Sequence, residues 1–450
     1  MKFAAALFFL LLAGCYVKNK DLHPCTDNAN CTDPAAPVCD LAAQVCVECT
    51  PESAAACTGQ KPICGADNVC RACTAHADCL ASMVCLPDGS CGIEDQVAYV
   101  ANGGTSATCA KSAPCNTLTA AILLGKPYIK VASGEPVKDT KTTTIDGKVV
   151  TILADPGARL DREGDGPILE IRSPTTDVKI YDLEITGASG ATGADAIILT
   201  PNGGTPKLTL TRVKITGNQG LGISASGGAL TISQSTLSGN TNGGISISGG
   251  ALTVSQSTFS GNANGISING GALAISRSTL SGNANGGISI TGGTFDIVNN
   301  FFFSNGGLGS SVGGLVISTT QNAANRLEFN SFNKNQTQDG IGPSVHCVAG
   351  AFTARNNIMS GPLSQAAHFG GTCQHAYSVA TPGTLPPGTG NVASNPMFVN
   401  TTTGDLHLSA ASPARGMADP ASALTGPAAV DIDGQPRTAP ADIGADEYNP

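Results

Sequence analysis

The sequence predicts an all-β chain wound as a parallel β-helix, and two observations carry that expectation. The first is repetition: Leu230, Leu252, Leu273 and Phe295 recur at steps of 22, 21 and 22 residues. Ile232, Val254, Ile275 and Ile297 keep the same steps, as do Leu237, Phe259, Leu280 and Phe302. Self-similarity at such a period marks a solenoid, whose units are too small to bury an apolar face alone and must stack. The second is alternation within a unit: Ile245 and Ile247, then Leu252 and Val254, then Phe259, with Ser, Thr and Gln between. A period of two means strands. Gly-Gly doublets at 227–228, 249–250, 270–271 and 292–293 punctuate them with the left-handed backbone that tight turns need.

Three short strands and three turns fill each coil of about 22 residues. Leucine-rich repeats have a similar length but require Leu at positions one, four and six before an Asn at nine. Counting back from Asn262, position four is Ser257, and no helix-forming stretch covers the outer side. That alternative fails. Asn218, Asn240, Asn262, Asn283 and Asn305 form one further column. It is expected to be a structural amide ladder that satisfies backbone groups at the turns.

The columns fade outward through Leu208, Leu210, Val213 and Ile215, then Val178, Ile180, Leu183 and Ile185 on one side. Leu327 to Phe329 and Phe352 to Ala354 continue them on the other, which places the solenoid at 126–380. An open β-helix exposes strand edges at its ends. Asn116 to Gly125 reads as a short amphipathic helix within an N-terminal cap at 92–125. The Gly/Pro-rich segment 381–450 is expected to fold back over the other end.

The amino terminus has one positive charge at Lys2, an apolar run to Leu12, and Leu12-Ala13-Gly14-Cys15. This pattern is an export signal, too short to span a membrane. Its last four residues resemble the bacterial lipobox. The resemblance implies a signal peptide at 1–14, lipid attachment at Cys15, and a tether at 15–24. The membrane is thus a partner through the lipid. Tyr16, standing where Asp would favour inner-membrane retention, points to an outer-membrane lipoprotein, with the cell surface as one place it would face.

Of 17 Cys, 16 remain after Cys15. Twelve form three tandem modules across 25–91: Cys25, Cys31, Cys39 and Cys46; Cys49, Cys57, Cys64 and Cys70; Cys73, Cys79, Cys85 and Cys91. Two disulfides per module are expected, and sequence leaves three pairings open in each. Cys46-x2-Cys49 and Cys70-x2-Cys73 also match a zinc-ribbon spacing. Export to an oxidising compartment favours disulfides, which here replace an apolar core. The other four suggest Cys109–Cys115 and Cys347–Cys373.

Lys and Arg total 24 against 33 Asp and Glu, a net charge of −9, which argues against a nucleic-acid partner. Parallel β-helices of this kind resemble the right-handed pectate lyases and polygalacturonases, a likeness that implies clustered carboxylates with calcium and a base, or paired Asp. Between Asp195 and Asp296 the chain has no Asp or Glu, and its charges there, Lys207, Arg212, Lys214 and Arg277, do not recur in register. The central coils by themselves host neither mechanism. Asp155, Asp161, Glu163, Asp165 and Glu170 form an acidic loop suited to calcium, better read as a solvated turn beside Arg159, Arg162 and Arg172. His346, His368 and His375 surround the Cys347/Cys373 pair, a weak metal cluster. No catalytic residue, metal site or cofactor is assigned. With no Trp and only 6 Tyr, the signal for aromatic sugar platforms is faint, and outward Thr231, Ser233, Thr253, Ser255 and Ser276 form hydroxyl rows instead.

Asn395-Pro396-Met397-Phe398, Gly404-Asp405-Leu406-His407-Leu408, Asp431-Ile432-Asp433-Gly434-Gln435-Pro436-Arg437 and Asp442-Ile443-Gly444-Ala445-Asp446-Glu447 follow in order. Together they resemble the closing region of choice-of-anchor Q β-helix proteins of bacterial surfaces. That likeness implies an exported, surface-attached β-helix with no assigned reaction, and a structural role for Asp431 and Asp433. The combination with the lipobox and four-Cys modules is similar to lipoproteins common in myxobacteria. The expected function is a non-catalytic surface lipoprotein that presents its β-helix to a polysaccharide or a cell-surface protein. Two alternatives remain: a polysaccharide lyase or hydrolase with its site in flanking loops, and a passive structural surface protein. Charged groups converging in one groove would favour the enzyme.

Overall fold

The computed structural model describes residues 24–449, apart from 191–193, 321–324, 351, 362–366 and 383–386. The chain divides into two compact units, Met1–Ile93 and Glu94–Pro450. Cys15 and the residues around it lie outside the described residues.

The first unit is held by cross-links. Each module joins its first Cys to its third and its second to its fourth: Cys25–Cys39 and Cys31–Cys46, Cys49–Cys64 and Cys57–Cys70, Cys73–Cys85 and Cys79–Cys91. A two-stranded ribbon, Val38–Asp40 against Val45–Val47, lies between the bridges of the first module, and Ile63–Cys64 against Cys70–Arg71 repeats it in the second. Cys25, Cys31 and Cys39 are themselves the buried cluster of the first module. Each bridge closes a loop of 12 to 15 residues, worth about 3 kcal/mol of lost unfolded-state entropy. Those cross-links do the work of a core.

The second unit is the solenoid, three parallel sheets of 12, 10 and 11 strands among the described residues. Register follows the repeat. Leu208, Leu230, Leu252, Leu273 and Phe295 stack in one column. Ile215, Leu237, Phe259, Leu280, Phe302 and Phe332 stack in a second. Ile223, Ile245, Ile266, Ile288, Leu315 and Val345 stack in the third. All of them are buried in one continuous core. The parallel ladder begins earlier than expected, at Val97–Val100, which pairs with Tyr128–Val131 inside the segment taken as cap. The reason is local: Val97, Ala98, Tyr99 and Val100 are all buried. Leu118–Leu123 is the helix that plugs this end, with Thr117 as its cap and Leu118, Ala121 and Ile122 turned inward. The Cys109–Cys115 loop hydrogen-bonds along the free edge of Val97–Val100, from Tyr99 N to Cys109 O and from Cys115 N to Tyr99 O. That edge is closed to further pairing.

The amide column spans Asn218 to Asn305 and extends to Asn335. Each Nδ2 donates to the next Oδ1 at 2.8 to 3.1 Å. The same Oδ1 accepts the preceding backbone N–H. A second polar column runs beside it through Ser235, Ser257, Ser278, Asn300, Asn330 and Asn357. Just before each of its members the backbone turns left-handed, at Gln234, Gln256, Arg277, Asn299, Phe329 and Asn356, with Arg212 one coil earlier and φ between 49° and 57°. This single-residue corner throws the side chain outward. Arg212 and Arg277 therefore do share a column, with two glutamines between them.

The C-terminal region departs from expectation. Residues 387–392 cover the last coil, through Tyr377 N to Thr389 O and the Val379–Val392 bridge. The chain then returns along the side of the solenoid, over the corner column. Asn356 Nδ2 donates to Ser422, and Asn299 Nδ2 to the carbonyls of Pro427 and Val430. Arg277 Nε donates to Ile432 O. Val298, Phe329, Ile358 and Val379 are apolar on this outer side, and Leu408, Ala414, Ala428 and Ile443 bury against them. Burial of that apolar stripe, not closure of the end, decides where the region goes.

Candidate functional site

The returning segment creates a groove of about 530 Å3 where it meets the central coils. Gln256, Ser257, Thr258, Arg277 and Thr279 line it from the coils, and Asp405, His407 and Asp433 from the returning segment. Thr258, Thr279 and Phe301 are one register row. The acids missing from the coils arrive from more than 120 residues further along the chain.

Each wall has a local cause. Asp405–Leu408 is a strand, paired with Phe398–Asn400. Its alternation buries Leu406 and Leu408 and turns Asp405 and His407 to the groove. Asp431 is buried and its Oδ1 accepts Asp433 N and Gln435 N, while Oδ2 accepts Glu447 N. That turn presents the exposed Asp433 carboxylate. Gly434 sits at φ +90°, a left-handed conformation that favours glycine, and it packs against the Arg277 guanidinium, whose Nη2 would lie 2.4 Å from a Cβ there. Among the described residues no carboxylate lies within ion-pair distance of Arg277.

Arg437 fastens the assembly. Its fully buried guanidinium donates to Glu447 Oε2 at 3.0 Å, Asn299 Oδ1 at 3.0 Å and Gly444 O at 2.7 Å, and lies 4.4 Å from the Phe329 ring. Gly444, at φ +102°, passes so close to Ile358 that a Cβ would sit 2.6 Å from its Cδ1. Asp442 accepts Gly416 N and Tyr448 N. Most of the C-terminal motif is thus structural, and Asp405, His407 and Asp433 are what it delivers to the groove.

His407 stands edge-on to Phe301, with centroids 5.2 Å apart. Its Nδ1 lies 2.5 Å from Asp405 Oδ1 and its Nε2 3.0 Å from Asp433 Oδ2. Burial alone would lower the imidazole pKa, but the Asp405 hydrogen bond and the charges of Asp446, Asp433 and Asp405 outweigh it and raise the pKa above the usual value. Burial pushes the Asp446 carboxyl up to about 6, against the hydrogen bond from Leu408 N and the charge of His407. Ligand atoms of His407, Asp433 and Asp446 lie within 4.8 Å of one another. This trio is the set, among the described residues and apart from disulfide cysteines, with the spacing to hold a metal ion.

The other groups considered from sequence do not converge. Asp155 pairs with Lys130, Glu170 with Arg172, and Arg162 donates to the carbonyls of Asp165 and Pro167. His368 and His375 are buried, and among the described residues they join no metal-sized cluster with His346. The Cys347–Cys373 bridge is formed. A further ion pair, Arg355 with Asp419 at 2.5 Å, ties a different sheet to the returning segment, and Arg326 pairs with Asp296 at 3.0 Å across neighbouring strands of that sheet.

The family described as a right handed beta helix region matches residues 195–366, and a family of unknown function (DUF8331) matches residues 13–97. Among solved structures the chain is similar to the pectate lyase Pel9A, at 16% identity and a TM-score of 0.41 over 78% of this chain and 96% of that one. It is also similar to the Dettilon tailspike protein, at 14% identity and a TM-score of 0.32 over 61% of this chain and 68% of that one. No curated protein matches. The chain is an all-β, right-handed parallel β-helix protein that carries a disulfide-rich region before its solenoid.

Proposed function

We propose that this protein is an exported surface lipoprotein, anchored through Cys15, that engages an extended polysaccharide in the groove beside Arg277. The carrying observation is the lining: hydroxyls of Thr258, Thr279 and Thr403, the Gln256 amide, the Arg277 guanidinium, which has no carboxylate partner among the described residues, and the side chains of Asp405, His407 and Asp433. Phe301 and Ile432 are its apolar members. Such a surface offers hydrogen bonds in both directions to a polyhydroxylated chain and little to an apolar ligand. A second reading, cleavage of that chain, is favoured by the Asp405–His407 pair, in which a carboxylate orients an imidazole as in general acid–base catalysis.

One experiment addresses both. The full-length protein and its Arg277→Ala variant are incubated with a panel of polysaccharides, and bound protein and newly formed reducing ends are measured together. Retention that Arg277→Ala weakens at least tenfold supports recognition. New reducing ends would establish cleavage and make His407 the first residue to replace. Neither retention nor turnover across a broad panel would refute both readings.

A further inference from the structure

We propose that His407, Asp433 and Asp446 bind a divalent transition-metal ion of the zinc type at the wall of the groove. This inference concerns the same site as the polysaccharide reading but does not need a polysaccharide to be correct.

The argument begins with the side of His407 that faces away from Asp405. Its Nε2 is shielded from solvent and forms no hydrogen bond, although Asp433 Oδ2 is only 3.0 Å away. The carboxylate therefore lies off the direction of an N–H donor. With the imidazole neutral and its Nδ1 proton held by Asp405, the Nε2 lone pair and the Asp433 oxygen would repel at that distance, and a cation to one side of the line joining them turns both into ligands. Zinc bonds imidazole nitrogen and carboxylate oxygen at about 2.0–2.2 Å, so two ligands at 90° to 110° are separated by roughly 3.0–3.4 Å. The observed 3.0 Å falls at the start of that range. The third ligand atom, from the buried Asp446, lies within 4.8 Å of the other two.

The surroundings fit a metal as well. Asp405 occupies the place of the outer carboxylate that fixes the tautomer of a ligating histidine. Leu408 N donates to Asp446 Oδ2 and holds that carboxylate still. The groove opens onto His407 and Asp433, leaving a path for the ion and room for a fourth ligand from solvent or a bound molecule. One imidazole with two carboxylates suits zinc or manganese. Calcium, which takes six to eight oxygen ligands, is disfavoured by the imidazole nitrogen.

The test uses the full-length protein, stripped with a chelator and titrated with Zn2+ at pH 7.5 by calorimetry. The expected result is one equivalent bound with micromolar or tighter affinity, weakened at least tenfold by Asp433→Asn and by His407→Gln. Asp405→Asn should weaken it by roughly 10- to 100-fold, as loss of an outer-shell partner does. Asp433 is exposed, so its variant should keep the parent urea midpoint, which separates loss of a ligand from loss of the fold. Absence of saturable binding at one equivalent would overturn the proposal. So would parent affinity in the Asp433→Asn and His407→Gln variants, which would put the ion elsewhere, or displacement of zinc by equimolar Ca2+. Zinc is read directly and without any polysaccharide, so failure here and failure of the polysaccharide reading are distinguishable.

Discussion

Replacing Arg437 by Met is the sharpest probe of how the returning segment is held. Methionine fills much of the arginine volume and keeps contact with Phe329, so the change removes chiefly polar partners. Glu447 loses its cation, and Asn299 Oδ1 and Gly444 O lose donors, all at buried or nearly buried positions. Breaking a buried pair from one side costs about 3–5 kcal/mol, which is two to nearly four orders of magnitude in the docking equilibrium of this segment. The cost should be local, because the coils do not depend on the segment for their ladders. Native-state hydrogen exchange reads it directly. The amides of Leu408, bonded to Asp446, Ile443, bonded to Ala414 O, and Gly444, bonded to Asn356 O, should lose 3–5 kcal/mol of protection, on the scale just given. The amide of Ile245, within the coils, should keep its own. Adding Glu447→Gln should restore part of the loss by removing the stranded charge. A change below about 1 kcal/mol, or an equal change at Ile245, would refute the view that Arg437 fastens a separable segment.

Two further predictions concern the coils. Asn262→Ala strips an acceptor from the backbone and side chain of Asn240 and a donor from Leu237 O and Asn283 Oδ1. Even partial relaxation leaves about 4 kcal/mol of buried polar groups unsatisfied, measurable as a lower urea midpoint; an unchanged midpoint would mean the ladder is dispensable. His375 is buried with no hydrogen-bond partner for its ring nitrogens among the described residues, and burial lowers its pKa to about 4. The unfolded chain therefore binds a proton that the folded chain refuses between pH 6.5 and about 4. Stability is complete above that window and falls through it on acidification, by about 3 kcal/mol at most. His375→Leu should flatten urea midpoints between pH 7 and 4.5, and an unaltered pH dependence would show that other groups dominate.

The coil columns were legible because Leu230, Leu252 and Leu273 are the same residue at nearly the same step. The second ladder was not, because Ser235, Ser257 and Ser278 give way to Asn300, and a column whose chemistry changes along its length does not look like one. Arg277 was visible as an isolated charge. What hid its meaning was the corner it occupies, where Gln234, Gln256 and Asn299 share the left-handed backbone but not the sign of charge. The groove itself was illegible in any window of the chain. Asp405, His407 and Asp433 meet Arg277 only because an apolar stripe at Val298, Phe329 and Ile358 draws the C-terminal segment backward along the solenoid. The motif containing Asp431 and Asp433 suggested structure, and for Asp431 that is what it does; two residues later the turn points outward.

The rail of corner residues also acts as a ruler. The C-terminal segment grips Asn356, Asn299 and Arg277 in succession, so the number of coils among those positions is fixed by the length of the segment lying over them. A coil gained or lost before Gln256 would lengthen or shorten the solenoid and leave the groove as it is. One gained between Arg277 and Asn299 would carry Arg277 about 4.8 Å from Ile432 and open the groove by one rung. Repeat expansion, the easiest change for so uniform a sequence, is therefore neutral on one side of Arg277 and alters the site on the other.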